Sequence, residues 1–169
     1  MFKFASISDK IGLMAGSVIF ETNSAVQTKK IAGILAKELL KTKMKKNALV
    51  LALSGDLGSG KTTFVQGLAK GFNIKEKIKS PTFLIIKNYK LKTKNHKLFI
   101  HIDAYRLKKA KDILGLGWRE MADDSKSIIV IEWAKHIAKI LPKNHIDINF
   151  KHISENKRKI TLGHSVSKC

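Results

Sequence analysis

An uninterrupted apolar run that leads directly into a glycine-rich loop constrains this chain more than any other feature. Residues 48–53 have the sequence ALVLAL, and residues 55–62, immediately after Ser54, have the sequence GDLGSGKT. A fully apolar run of this length is typical of a strand buried on both faces of a parallel sheet. Residues 62–70 then follow as a predicted helix. This order predicts an α/β fold, and 169 residues suit a single domain.

Residues 55–62 match the pattern G-x-x-x-x-G-K-[ST] in full, which is the P-loop motif. Glycines let such a loop curl with its backbone N–H groups pointing inward, and the next helix adds the positive end of its dipole. Lys61 can reach the β- and γ-phosphates, and the Thr62 hydroxyl can ligate Mg²⁺. The alternative is a glycine-rich turn that happens to precede a helix. We therefore predict a P-loop NTPase-like mixed sheet flanked by helices, with a nucleotide bound at Gly55, Asp56, Leu57, Gly58, Ser59, Gly60, Lys61, Thr62 and Thr63.

Two acids stand at the ends of predicted strands. Asp103 ends the run 99–102, and Glu132 ends the run 128–131. In open α/β sheets ligands bind beyond the carboxyl ends of parallel strands, where both acids would lie if their strands run parallel to 48–53. Asp103 and His101, two residues apart on a strand, face the same side. A surface acid at a strand end is the alternative for each residue, but the pair favours Mg²⁺ binding and turnover.

Two further features leave alternatives open. Ser80-Pro81-Thr82 follows a polar loop, so Thr82 could sense the γ-phosphate as a switch, or the segment could be a plain turn. Trp133 follows Glu132 and could be either a core aromatic or a lid over the site.

Composition bounds the remaining classes of function. A formal charge of +20 favours an acidic partner, but only three of the 33 basic residues are arginine and the lysines are spread along the chain. A lysine-rich solvated surface is therefore favoured over a dedicated nucleic-acid groove. The single cysteine, Cys169, excludes an internal disulfide framework and a cysteine-based zinc site, and it fits a reducing cytoplasm. No run approaches the ~18 apolar residues of a membrane span.

The remaining elements follow from periodicity and turn signals. Residues 24–27 have the S-x-x-Q form of a capping box and open an amphipathic helix. The helix over 62–70 is expected to end with a cap at Gly71. We further predict a strand at 18–20, an antiparallel pair at 83–86 and 97–102, short helices around 108–113 and before 128, a helix at 134–140, and a closing hairpin of 146–150 with 159–162. Residues 1–15 are a weakly patterned extension, and 16–169 are the predicted ATPase domain.

The order of four short strings resembles one bacterial family. GDLGSGKTT (55–63), SPTF (80–83), HIDAYRL (101–107) and IEW (131–133), closed by a β-hairpin, resemble the TsaE family, the ATPase of tRNA threonylcarbamoyladenosine biosynthesis. The resemblance covers about residues 17–163. It implies a small P-loop ATPase with a mixed sheet that binds and hydrolyses ATP with Mg²⁺. It also implies two partner proteins, which form the threonylcarbamoyl transferase that modifies the adenosine beside the anticodon of tRNA.

The resemblance also implies roles for individual residues. Lys61 would grip phosphate, Thr62 and Glu132 would hold Mg²⁺, and Asp103 would be the Walker-B-like acid needed for turnover and would also lie at the metal. Thr82 would be the switch residue and Trp133 a neighbour of the nucleotide. Glu21 and Ser24 would lie near the base, and Arg158 would be a basic residue near the nucleotide. The implied catalytic residues are thus Lys61, Asp103 and Glu132.

Two other functions remain open from the sequence. A P-loop kinase for a small metabolite would need a lid with several arginines to clamp the transferred phosphoryl group, and the chain has three in all. A basic RNA-binding module with a vestigial P-loop would bind RNA with an affinity that falls steeply with salt. A GTPase is disfavoured because the chain has no N-K-x-D string. Contact with tRNA is expected to be indirect, and no membrane partner is expected.

Overall fold

One seven-stranded mixed sheet organises the chain. The computed structural model describes residues 17–81, 84–107 and 109–164, so the predicted extension 1–15, Thr82 and Cys169 lie outside the described residues. The order of the strands across the sheet is β1-β7-β6-β2-β5-β4-β3. Their bounds are β1 Val18–Thr22, β2 Leu49–Ser54, β3 Ile86–Lys90, β4 Leu98–Asp103, β5 Ser127–Glu132, β6 Ile146–His152 and β7 Arg158–His164.

Helices cover both faces of the sheet. The α-helices are α1 Ala25–Leu39, α2 Lys61–Gly71, α3 Ala110–Leu114 and α4 Trp118–Asp123, and two 3₁₀ segments span Ala104–Arg106 and Ala134–Ile140. Alternate residues of β2 point to opposite faces: Leu51 packs with α1 and α2, and Val50 packs with α3, α4 and the 3₁₀ segments. Every residue of β2 and β5 is buried, which explains their uninterrupted apolar sequences.

The centre of the sheet is parallel. Strand β2 pairs in parallel with both β5 and β6, and β4 pairs in parallel with β5. The edges are antiparallel, through the pairs β3–β4, β6–β7 and β1–β7. The predicted mixed α/β sheet is therefore confirmed, as is the closing hairpin. The carboxyl ends of β2, β4 and β5 lie side by side, with Asp103 opposite Glu132 in the register.

Most element bounds agree with the sequence, and the differences have local causes. The Ser24 side chain accepts a hydrogen bond from the Gln27 N–H at 3.2 Å, so the predicted helix start is confirmed. Helix α2 continues through Gly71 and is capped at Phe72, so the predicted cap at Gly71 is wrong. The left-handed residue after the helix is Asn73, with φ of 60°. A Cβ at Gly71 would lie 2.6 Å from the Ala36 Cβ, so Gly71 serves close packing against α1.

Strand β3 begins at Ile86, later than the predicted 83–86, because the chain first makes a turn. The N–H groups of Leu84 and Ile85 both donate to the Pro81 carbonyl, and Ile85 has φ of 63°. Residues 134–140 form a 3₁₀ segment with a kink at Ile137, not a regular α-helix. Among the described residues, no helix has both the length and the apolar character needed to cross a bilayer.

Candidate nucleotide-binding site

The loop between β2 and α2 has a backbone shape that requires glycine. Gly55 has φ of 144°, and a Cβ there would lie 2.5 Å from the Phe150 carbonyl oxygen on β6. Gly60, the N-cap of α2, has φ of 101°, a conformation that residues with a side chain rarely adopt. The glycines thus allow the loop to curl against the sheet at the start of the helix.

The N-terminus of α2 offers amides to an anion. No side chain caps this helix at Gly60. The first-turn N–H groups of an α-helix have no acceptor within the helix, and the dipole gives this end a partial positive charge. These groups and the curled loop therefore form the kind of nest that binds phosphate.

Lys61 lies across its own loop. Its Nζ donates to the carbonyl oxygens of Gly55 at 2.7 Å and of Asp56 at 2.8 Å, and it lies 4.0 Å from the centre of the Trp133 ring. Burial lowers the pKa of Lys61, and the negative charges of Glu132, Asp103 and Asp56 oppose that lowering. The amine is held by carbonyl oxygens, an aromatic face and nearby acids, each of which favours its charged form.

Glu132 connects β5 to the first turn of α2. Its Oε2 accepts a hydrogen bond from the Thr62 hydroxyl at 2.7 Å, and its Oε1 lies 2.8 Å from Nε2 of His101 on β4. The side chains of Glu132 and His101 are buried. The acid predicted from the end of one strand therefore meets the threonine predicted from the loop.

Asp103 lies at the end of the neighbouring strand, opposite Glu132. Its side chain is buried and accepts hydrogen bonds from the Ser80 hydroxyl and from the Tyr105 N–H, the latter at 3.0 Å. Ser80 precedes Pro81 and the predicted switch residue Thr82, which is outside the described residues. The described part of this segment is thus tied to the acid predicted to act in turnover.

A cavity of about 460 Å³ lies between these groups. Trp133 forms one wall, with a positive φ of 59° and with its ring 5.0 Å from the ring of Tyr105. A positive φ is unusual for a bulky residue and is often found where a side chain is held at a functional site. The described lining consists of Leu57, Gly58, Gly60, Lys61, Thr62, Thr63, Ser80, Asp103, Tyr105, Glu132 and Trp133.

A second cavity of about 230 Å³ shares the loop and lies toward α1 and the β6–β7 turn. Arg158 lines it and donates from Nη2 to the Gly58 carbonyl oxygen at 3.2 Å. The rest of its described lining is Ser24, Ala25, Thr28, Gly60, Thr63, Glu155 and Asn156. Glu21 lines neither cavity and is exposed on β1, opposite Lys159 in the register.

The remaining residues of the loop differ in exposure. Ser59 is fully buried, with its hydroxyl 3.5 Å from Lys61 Nζ. Asp56 is exposed and uses its carbonyl oxygen within the loop, where it accepts from the Ser59 N–H at 3.2 Å. Leu57 projects outward and is 82% exposed at the mouth of the larger cavity.

Comparisons with known proteins identify the family. The family model for threonylcarbamoyl adenosine biosynthesis protein TsaE matches residues 22–160. The chain belongs to the TsaE family. It is 39% identical to the tRNA threonylcarbamoyladenosine biosynthesis protein TsaE of Rickettsia felis, over 80% of this chain and 74% of that protein. It is 37% identical to the protein of the same name in Bacillus subtilis, over 67% of this chain and 68% of that protein.

A solved structure agrees with the TsaE assignment. The crystal structure of Bacillus subtilis YdiB superposes with a TM-score of 0.69 and 29% sequence identity, covering 92% of this chain and 90% of that chain. The family resemblance and the P-loop fold predicted from the sequence are therefore confirmed. The fold implies nucleotide binding.

Residues of this TsaE chain that sequence reasoning left without a role also contribute to the site. Tyr105 supports Trp133, Ser80 holds Asp103, and His101 contacts Glu132. The strings HIDAYRL and SPTF contain all three residues. Spacing alone, however, could not show that a tyrosine two residues after Asp103 packs on the tryptophan that follows Glu132.

The donor set suits a hard cation. The Thr62 hydroxyl and the Glu132 carboxylate provide oxygen ligands, which Mg²⁺ prefers, and Mg²⁺ usually completes its shell with phosphates and water. Within the described residues, no group of three or more His, Cys, Asp or Glu side chains could hold a metal by itself. These residues therefore fit Mg²⁺ that arrives with a nucleotide.

Proposed function

We propose that the chain binds and hydrolyses ATP with Mg²⁺, and that this cycle supports two partner proteins that transfer threonylcarbamoyl to the adenosine beside the anticodon of tRNA. The observation that carries the proposal is the convergence of Lys61, Thr62, Asp103 and Glu132 on one cavity at the start of α2. The proposed ATPase domain is 16–169, and the proposed location is the cytoplasm.

The phosphates would bind at the loop 55–63. Lys61 would exchange its hydrogen bonds with the Gly55 and Asp56 carbonyl oxygens for bonds to phosphate oxygens. With a phosphate acceptor both partners are charged, so these hydrogen bonds are stronger than those from the lysine to neutral carbonyl oxygens. The loop amides and the N-terminus of α2 would bind the remaining phosphate oxygens.

Thr62 and Glu132 would hold Mg²⁺, with Asp103 beside them. When bound, Mg²⁺ would neutralise charge on the β- and γ-phosphate oxygens. Glu132 accepts a hydrogen bond from Thr62, so an arriving cation would find the two oxygen ligands already adjacent. Asp103 accepts a hydrogen bond from Ser80 of the SPT segment, which suits an acid that orients the attacking water with Thr82 as the switch.

The nucleoside would extend toward the second cavity. That cavity continues from the loop 55–63 at Gly58 and Gly60, and Ser24 and Arg158 also line it. Trp133 would contact the phosphate end of the nucleotide because it lines the larger cavity next to Lys61. A role for Glu21 near the base stays a prediction, since its side chain would have to reach in from the exposed edge strand.

The cavity wall favours an ATPase that depends on partners. Lys61 is the one cationic side chain in the described lining of the larger cavity. Fast phosphoryl transfer usually uses a further cation, such as an arginine finger, to stabilise charge in the transition state. This lining is a poor match to a kinase lid with several arginines. It favours slow hydrolysis by the isolated chain and faster hydrolysis in a complex.

Reconstitution tests this proposal. Purified chain, candidate transferase partners, tRNA, an activated threonylcarbamoyl donor and ATP would be combined, with matched reactions that omit the chain. Sustained tRNA modification should require the chain, and its ATP hydrolysis should rise when the partners are added. Modification that proceeds equally well without the chain, or fast hydrolysis by the isolated chain, would contradict the proposal. Salt-sensitive RNA binding without ATP turnover would instead support the RNA-binding alternative.

A further inference from the structure

His101 is a fully buried polar side chain that touches the site without lining its cavity. Its Nε2 lies 2.8 Å from Oε1 of Glu132, and the Oε2 of the same carboxylate accepts the Thr62 hydroxyl at 2.7 Å. The imidazole is 0% exposed. Its Nδ1 has no hydrogen-bond partner among the residues that the structure describes. Among the described residues, the one hydrogen bond of this imidazole is therefore directed at Glu132.

The sheet explains how the contact arises. Strands β4 and β5 are parallel neighbours, with His101 opposite Val130 and Asp103 opposite Glu132. His101 lies on a strand that is buried throughout its last five residues, so its ring cannot turn to solvent. Glu132 is the last residue of β5, and its side chain is held between His101 and the first turn of α2.

We infer that His101 is a positioning residue that donates its Nε2–H to Glu132 Oε1 and thereby aims Oε2 at the cation site beside Thr62. A carboxylate oxygen only accepts hydrogen bonds, so the imidazole is the donor and its proton lies on Nε2. Groups bonded to a metal-binding carboxylate fix its orientation, and their loss typically weakens metal binding about 10- to 100-fold. The inference rests on the proposed function, because it concerns the carboxylate assigned to Mg²⁺.

A purely structural role would predict a different outcome. If His101 only filled the core, an apolar residue of similar size would serve equally well, and the affinity for metal would not depend on a donor at this position. The chain contains a matched control in His96, which is also 0% exposed and bonds to Thr42, three residues after α1 and away from the site.

The test compares His101→Gln, whose amide can reach Glu132 as Nε2 does, with His101→Leu, which has no donor. The measured quantity is the magnesium enhancement, meaning the dissociation constant for ADP in EDTA divided by that in Mg²⁺, by calorimetry. We expect His101→Leu to lower this ratio about 10-fold or more, with the EDTA value little changed. His101→Gln should retain most of the ratio, and His96→Leu should leave it unchanged.

Several outcomes would overturn the inference. These are an unchanged ratio in folded His101→Leu, an equal loss in the Gln and Leu variants, or an equal loss in His96→Leu. A wild-type chain that binds ADP without any magnesium enhancement would instead contradict the proposed use of Mg²⁺, and the inference with it. If His101→Leu does not fold, nitrogen NMR of the wild-type histidines decides: a proton on Nε2 of His101 supports the inference, and a ring that carries its proton on Nδ1 alone overturns it.

Discussion

Lys61, Asp103 and Glu132 are nearly excluded from solvent, at 4%, 3% and 2% exposure. A buried charge is costly unless an opposite charge or several hydrogen bonds compensate for it. The negative charges of the two acids oppose the lowering of the Lys61 pKa by burial, so they stabilise the charged form of Lys61. The cation proposed to bind phosphate is thus stabilised in its charged form in a site with little solvent.

Substituting either acid should separate turnover from binding. Asp103→Asn and Glu132→Gln keep the side-chain size but remove the charge, so ATP hydrolysis in the partner complex should fall about 100-fold or more. Nucleotide affinity should change less, because the loop amides and Lys61 remain. Hydrolysis and calorimetric binding would be measured for both variants and for Asp123→Asn, an exposed acid on α4. Full activity in either site variant would remove that residue from the mechanism.

At this scale, the sequence predicted the residues that carry charge but not all of their contacts. Asp103 and Glu132 could be assigned because strand ends gather at one edge of a parallel sheet. The orientation of Trp133 could not be predicted, because it depends on a left-handed backbone at a bulky residue and on support from Tyr105. Neither feature leaves a periodic signal in the sequence.

Among the elements, the contact between α1 and α2 positions the loop 55–63. The two helices approach each other at glycines, and a Cβ at Gly67 would lie 2.5 Å from the Lys29 carbonyl oxygen. Such a distance to backbone cannot be relieved by a side-chain rotation. The close approach holds α2 against α1 and so fixes the direction in which its N-terminus points.

Two glycine substitutions should have opposite effects on stability. Gly67→Ala should lower the free energy of unfolding by about 1–3 kcal/mol, because the added methyl group forces the helices apart. Gly33→Ala, whose Cβ would lie 3.5 Å from the Gly67 carbonyl oxygen, should raise it by about 0.5–1 kcal/mol through better helix propensity. Urea unfolding of both variants measures these changes. A neutral or stabilising Gly67→Ala would contradict the described packing.

The turn between β3 and β4 binds the end of α1. The Asn95 amide donates to the Leu40 and Lys41 carbonyl oxygens, both at 3.2 Å, and His96 Nε2 lies 3.1 Å from the Thr42 carbonyl oxygen. Burial lowers the pKa of His96 below its usual 6.5, against the effect of the nearby carbonyls of Thr42 and Leu39. Folding therefore favours the neutral ring.

This lowered pKa predicts a loss of stability in acid. Below about pH 6.5 the unfolded chain binds a proton at His96 more readily than the folded chain does. The free energy of unfolding therefore decreases as the pH is lowered. The loss ends once the pH is below the folded-state pKa. Denaturant unfolding from about pH 7.5 to about pH 5.5 should show that the wild type loses more stability than His96→Gln. Parallel pH profiles for the two proteins would contradict this assignment.

Over the whole molecule, the parallel centre of the sheet brings together residues that are distant in sequence. Its buried apolar strands were predictable from continuous apolar runs. The glycine-rich motif predicted that β2 leads through a loop into α2. The start of β3 could not be predicted, because a turn held by the Pro81 carbonyl displaces it. The packing role of Gly71 could not be predicted either. The charge of +20 did not predict the site, where acids outnumber cations in the described lining of the larger cavity.

The central claim is that the loop from Gly55 to Thr63 binds the phosphates of a nucleotide through its amides and Lys61. Calorimetric titration of ATP with Mg²⁺ into the wild type, Lys61→Ala and Lys70→Ala tests it most directly, since Lys70 is an exposed lysine at the other end of α2. Loss of a charged hydrogen bond costs about 1.5–3 kcal/mol, so Lys61→Ala should weaken binding about 10- to 100-fold, and Lys70→Ala should leave it unchanged. Equal affinity in all three proteins would contradict the claim.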